Sequence, residues 1–192
     1  MDALRQIGWA CFILVVCLWP RVSRADQVAP DKQAVIIARA LAYDDNLRGR
    51  AGDSLVVAVL FKPGAGGSEG VADGMVRAFK ALEGVKVQNL PLRVVKIAYG
   101  GKDALHGAVT GQGIDAVYVC PGLEGDQSGI REESRRDHII TIASREEQLT
   151  SGLSLGVFQF EGKTTITVNL PSSKDEGAAF SSELLRLARV VR

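Results

Sequence analysis

The chain has 192 residues, 46 % of them hydrophobic, with 23 basic against 22 acidic side chains, which suits one domain with a proper core. This balance excludes the strongly basic surface that nucleic acid or an anionic membrane calls for. Three cysteines (Cys11, Cys17, Cys120) and two histidines (His106, His138) fall at no zinc-type spacing, so neither a metal nor a cofactor is expected.

The N-terminus reads as a secretory signal. Met1 to Arg5 is a short n-region, Ile7 to Trp19 is an uncharged apolar run, and Ser23 and Ala25 are the small residues a signal peptidase reads. The run is too short to span a membrane, which needs about 20 apolar residues. Leu14-Val15-Val16 lacks the small residue expected before a lipidated cysteine at Cys17. The expected organisation is a signal peptide over 1–25 and one domain over 26–192, placed in the periplasm. Losing Arg5, Arg21, Arg24 and Asp2 takes the formal charge from +1 to −1. Only Cys120 stays, so no internal disulfide forms.

In chain order, Lys32 to Leu47 predicts a helix, with Val35, Ile36, Ala40 and Tyr43 near helical spacing. Ser54 to Phe61 is an apolar, β-branched run between Gly52 and Pro63, hence a buried strand. Val71 to Glu83 is an amphipathic helix with Met75, Phe79 and Leu82 on one face and Gly84 at its end. Val85 to Ala98 is strand-like, with a break, bulge or two short pieces expected at Pro91. Lys102 to Val109 predicts a short helix, Ile114 to Val119 a strand, Glu124 to Arg136 a polar helix and His138 to Ala143 another strand. Ser144 and Glu147 form an S-x-x-E capping box that opens a helix through Leu149.

The pattern then changes. Ser154 to Phe160 and Thr164 to Leu170 predict a hairpin joined by Glu161-Gly162-Lys163. A last helix would align Phe180, Leu184, Leu187 and Val191 in one apolar stripe. Strand–helix units with uninterrupted apolar strands indicate a three-layer α/β sandwich. Its sheet would be mainly parallel with an antiparallel C-terminal hairpin, flavodoxin- or Rossmann-like in general plan.

The most specific stretch is C-terminal. Ile166-Thr167-Val168-Asn169-Leu170 precedes Ser173-Lys174-Asp175-Glu176-Gly177-Ala178 and then Phe180-Ser181-Ser182-Glu183-Leu184-Leu185-Arg186-Leu187-Ala188-Arg189. This resembles the YfiR-like family of periplasmic proteins, with its I-N-L strand, its loop rich in Ala and Gly and its S-S-x-L-L-x-L-A helix. Ile139-Ile140-Thr141-Ile142 and Gly156-Val157-Phe158 also look like that family. The resemblance implies an α/β sandwich in the periplasm that represses a membrane-anchored diguanylate cyclase through its periplasmic part. It also implies an outer-membrane lipoprotein partner that relieves the repression. Well-known members carry disulfide-forming cysteine pairs. With Cys120 alone, redox control by an internal disulfide does not carry over. The same leucines are what any docking helix needs, with Ser172 and Asp175 as capping residues and Gly177 as a bend.

Motifs for catalysis stand in the wrong context. Gly64 to Gly70 follows a strand and precedes a helix, but Glu69 occupies a place where a dinucleotide loop has glycine, and no Gly-Lys-Ser/Thr follows. Gly152-Leu153-Ser154-Leu155-Gly156 spells G-x-S-x-G, yet a helix precedes it and a strand follows, the reverse of a nucleophile elbow. Cys120 at a strand end could be a nucleophile with His106 or His138 as base, or a small core residue. The mixed charges from Arg131 to Asp137 fit a solvated helix face or a partner-binding one.

Three functional readings follow. The first is a non-enzymatic exported regulator that binds the periplasmic domain of a membrane signalling protein, with homodimerisation left open. The second is a periplasmic small-molecule binder. Its ligand edge would lie beyond the carboxyl ends of the strands, with Lys62, Gly64, Tyr99, Cys120 and Arg145 as candidates. The third is a hydrolase using Ser154 or Cys120. No catalytic, metal-ligating or cofactor-binding residue is assigned.

Overall fold

The computed structural model describes residues 28–192; the expected signal segment lies outside them. Among the described residues one sheet has the strand order β2-β3-β1-β4-β5-β6-β7-β8. The strands are β1 (Leu55–Phe61), β2 (Lys86–Val87), β3 (Leu90–Ala98), β4 (Ala116–Val119), β5 (Ile140–Ala143), β6 (Leu155–Phe160), β7 (Lys163–Asn169) and β8 (Arg189–Val191). The helices are α1 (Pro30–Leu41), α2 (Leu47–Arg50), α3 (Ser68–Lys80), α4 (Lys102–Gln112), α5 (Gln127–Arg136), α6 (Glu146–Thr150), α7 (Leu170–Asp175) and α8 (Ser182–Leu187).

β1 explains the layering. Every one of its residues is buried. Successive side chains of a strand point to opposite faces. Leu55, Val57, Val59 and Phe61 therefore join α1 and α3 in one core, with Ile37, Leu41, Met75 and Phe79. Val56, Ala58 and Leu60 join α4, α5 and α6 in a second core, with Leu105, Ile130 and Leu149. Strands β3, β1, β4, β5 and β6 run parallel, and β6–β7 is the antiparallel hairpin. The expected three-layer, mainly parallel sandwich is the observed fold.

Local details differ in instructive ways. The first helix ends at Leu41, not Leu47, because Asp44 draws the chain into a turn. Its buried carboxylate accepts the Ala179 N–H at 2.8 Å and pairs with Arg50 at 2.6 Å. The strand expected to break at Pro91 breaks instead at Gln88-Asn89, where φ is +50° and +69°. Pro91 sits inside β3 opposite Lys86. The hairpin turn is two residues, Glu161-Gly162, both at positive φ, and Lys163 already belongs to β7. Ser181, rather than Ser172 or Asp175, caps the leucine-bearing helix α8, accepting the Leu184 N–H at 3.4 Å, while Asn169 caps a separate short helix, α7, accepting the Ser172 N–H at 3.2 Å. In the capping of α6, Gln148 rather than Glu147 reaches back, accepting the Ser144 and Arg145 N–H groups at 2.9 and 3.2 Å.

The C-terminal stripe is not one helix. Phe180 lies before α8, bridged to Asp44, and Val191 lies in β8. Leu187 is 68 % exposed. Ser181 caps α8 so that it begins after Phe180. The chain then turns extended at Ala188 and pairs Arg189 to Val191 in parallel with Thr167 to Asn169. A helix continued to Val191 would leave that edge of β7 without these bonds.

Candidate functional site

The carboxyl ends of β1, β3, β4 and β5 meet at one edge because these strands are parallel. From β1 the chain crosses one face by α3 to reach β3, then the other face by α4 to reach β4 on the far side of β1. That reversal brings the loops after β1 and β4 side by side at the switch point, the usual ligand position in open α/β sheets.

The two loops are closely packed. Lys62, following β1, forms an ion pair with Asp126 beyond β4. Lys62 also donates its N–H to Ser68 Oγ at 3.0 Å, which ties the loop to the first turn of α3. Gly64 takes φ +76° in the turn between. Gly122, at φ +90°, lies so close to Ala65 that a Cβ there would stand 2.8 Å from the Ala65 Cβ. Glycine is what lets the two loops touch.

Tyr99 extends β3 by donating its N–H to Phe61 O at 2.8 Å. Its hydroxyl lies over Gly129 of α5, where a Cβ would come within 3.1 Å. Burial raises the Tyr99 pKa, with the Asp126 charge adding to it and Lys62 opposing it. The hydroxyl is therefore a neutral donor at physiological pH. Lys102 pairs with Glu132 at 2.8 Å across α4 and α5.

The five candidates do not behave alike. Lys62, Gly64 and Tyr99 stand near the switch point with Asp126, which the sequence did not single out. Cys120 reaches the edge only through its backbone. Its thiol is buried in the α1–α3 core, and burial pushes it up to about 12, so it stays protonated. Arg145 is exposed at the end of β5, before α6. Gln148 was also missed. It is buried, accepts from Ser144 and Arg145, and donates to Cys120 O at 3.2 Å, locking the β4 and β5 loops together.

Ser154 is wholly buried and donates to Glu176, itself inaccessible. The same carboxylate accepts Ser134 Oγ at 3.0 Å, Thr141 Oγ1 at 2.7 Å and the Thr141 N–H at 2.8 Å. Burial raises the Glu176 pKa and these hydrogen bonds, led by Ser154, pull it back. Glu176 thus anchors the α7 end to β5, to α5 and, through Ser154, to the start of β6. Two surface hollows lie elsewhere. One of about 390 Å³ is lined by Asp45, Arg50, His138 and Gly177, and one of about 270 Å³ by Val35, Ala38, Leu82 and Val85.

The sheet order and the helix layers on both faces define an open α/β domain. Among solved structures, it is similar to the ABC domain in complex with L-Trp from Streptococcus pneumonia (12 % identity, TM-score 0.60, 85 % of this chain and 60 % of that one). It is also similar to a conserved domain protein from Vibrio cholerae (11 %, TM-score 0.59, 86 % and 61 %). A third is the ligand-free, open form of a substrate binding protein with adhesive properties from Clostridium difficile (14 %, TM-score 0.54, 81 % and 59 %). The chain spans about 60 % of the length of these structures, and the likeness is one of fold. No curated protein sequence matches it. The YfiR/HmsC-like family model matches residues 70–189, and the chain belongs to that family.

Proposed function

We propose that residues 1–25 direct export and are removed, and that the domain over 26–192 is a periplasmic, non-enzymatic regulator. It binds the periplasmic part of a membrane signalling protein, a diguanylate cyclase, and holds it inactive, and an outer-membrane lipoprotein relieves the repression. The family match over residues 70–189 carries this reading. Two features support it. No helix of the described residues is long and apolar enough to cross a membrane. The two nucleophiles weighed from the sequence, Ser154 and Cys120, are both buried.

The mechanism needs only differential affinity. Moving a two-state cyclase from about 99 % to about 1 % active requires about 10⁴-fold tighter binding to the inactive form, roughly 5.5 kcal/mol. An interface with an apolar centre and polar rim supplies differences of that size. The test is deletion of the gene in its native host. Cellular cyclic-di-GMP is expected to rise, to be restored by the full-length protein, and not by a form lacking residues 1–25. An unchanged level across several growth conditions rejects the regulator.

A second reading, a small-molecule binder, is favoured by the Lys62–Asp126 pair and the Tyr99 hydroxyl at the switch point. One structural neighbour is a complex with L-Trp. Titration of the exported form with aromatic amino acids separates the two readings.

A further inference from the structure

Three ligand-type side chains from two helices, His106 of α4 and Glu133 and Asp137 at the end of α5, meet in the α4–α5 layer. His106, midway along α4, places Nδ1 2.8 Å from Asp137 Oδ2 and 4.0 Å from Glu133 Oε2. One ligand atom from each residue lies within 4.8 Å of the others. Glu133 and Asp137 are spaced i, i+4 at the end of α5, which puts both carboxylates on one face.

Glu133 is the unusual member. It is 2 % exposed, and its Oε2 is ion-paired with the guanidinium of Arg136, a side chain half exposed to solvent, which also reaches Asp137 Oδ1 at 3.3 Å. A buried carboxylate is costly unless a cation compensates it, and here the compensating charge sits on a long surface side chain. The same oxygen lies 4.0 Å from the His106 imidazole nitrogen.

We propose that His106, Glu133 and Asp137 form a binding site for a divalent transition metal of the zinc class. An imidazole with two carboxylates is a mixed nitrogen–oxygen donor set, whereas calcium and magnesium favour oxygen alone. Ligand atoms around a tetrahedral zinc stand about 3.3 Å apart. Two of the separations, 2.8 and 4.0 Å, bracket that spacing and the third is within 4.8 Å, so side-chain adjustments of up to about 1.5 Å bring all three ligands to it. Three protein ligands leave a fourth position for water or for a partner's side chain. His106 and Arg136 are partly exposed, so the site opens to solvent and Arg136 can swing away as the ion enters. Arg136 is then the built-in competitor of the metal. A bound ion clamps α4 to α5 on the same side of the sheet as Tyr99 and Lys102.

The test uses the untagged exported protein, stripped with chelator and titrated calorimetrically with Zn²⁺, with Co²⁺ as a spectroscopic probe. One ion per chain is expected, with visible Co²⁺ bands of a low-coordinate site. His106→Ala and Asp137→Asn are each expected to weaken binding by at least about tenfold. Arg136→Gln, which leaves the three ligands in place, is expected to tighten it. Equal affinity in the wild type, His106→Ala and Asp137→Asn would overturn the assignment. So would a lack of binding in both the wild type and Arg136→Gln, or binding of Mg²⁺ as tight as Zn²⁺.

Discussion

Asp115 shows how one side chain ties the two halves of the sheet and sets a pH response. It stands just before β4, where its carboxylate accepts the Val56 N–H at 2.8 Å and its own N–H donates to Val56 O at 3.0 Å. Burial raises its pKa from 3.8 to about 6, opposed by the Val56 hydrogen bond and the Arg50 charge. Below 3.8 the group is protonated in folded and unfolded chains alike, and above about 6 it is ionised in both. The folded state alone holds the proton between those values, so stability falls as pH rises through that window. Allowing for partial solvent access, the loss is about 2 kcal/mol. Asp115→Asn keeps an acceptor for Val56 and carries no charge. Urea midpoints measured from pH 3.5 to 7 are expected to fall with pH more steeply in the wild type than in the variant. Parallel profiles would show that Asp115 does not titrate in this window.

At the scale of elements, α8 separates two leucines that look equivalent in the sequence. Leu184 is 1 % exposed within the α1–α3 core, while Leu187, three residues on, is 68 % exposed. Leu184→Ala is expected to cost about 2–5 kcal/mol, as for other buried leucines. Leu187→Ala is expected to change stability by no more than about 0.5 kcal/mol. Equal urea midpoint shifts in the two variants would contradict this division. The pair also marks what was legible. Strands such as β1 and β4 could be read because an uninterrupted β-branched run has few alternatives. The ends of elements could not, because they depend on distant partners. Asp44 ends the first helix by meeting Ala179, and β7 recruits Arg189 to Val191 into an eighth strand. Periodicity within a short window carries no trace of either contact.

At the scale of the whole molecule, the parallel order predicted which loops share an edge, so Lys62, Gly64 and Tyr99 could be placed together from the sequence. Asp126 and Gln148 could not, since their roles arise from loop packing around Gly122 and Cys120 rather than from any motif. The same topology makes a demand on the chain that the family match understates. That match begins at residue 70, inside α3, and omits α1 and β1. Yet β1 is the strand between β3 and β4, paired with β3 from Leu55 to Phe61 and with β4 from Val57 to Leu60. Without β1 the sheet divides into β2–β3 and β4 to β8, each with an unpaired inner edge. Leu55, Val57 and Val59 would also vanish from one core and Val56, Ala58 and Leu60 from the other. Unpaired inner edges and two opened cores favour association over folding. A chain of residues 28–192 is therefore expected to unfold cooperatively in urea, with a near-ultraviolet signal from the buried Tyr118. A chain of residues 70–192 is expected to show no cooperative transition and to bind a hydrophobic dye. A sharp transition in the shorter chain would mean that β3 and β4 can pair directly, and that the contact between the β1 and β4 loops is dispensable to the fold.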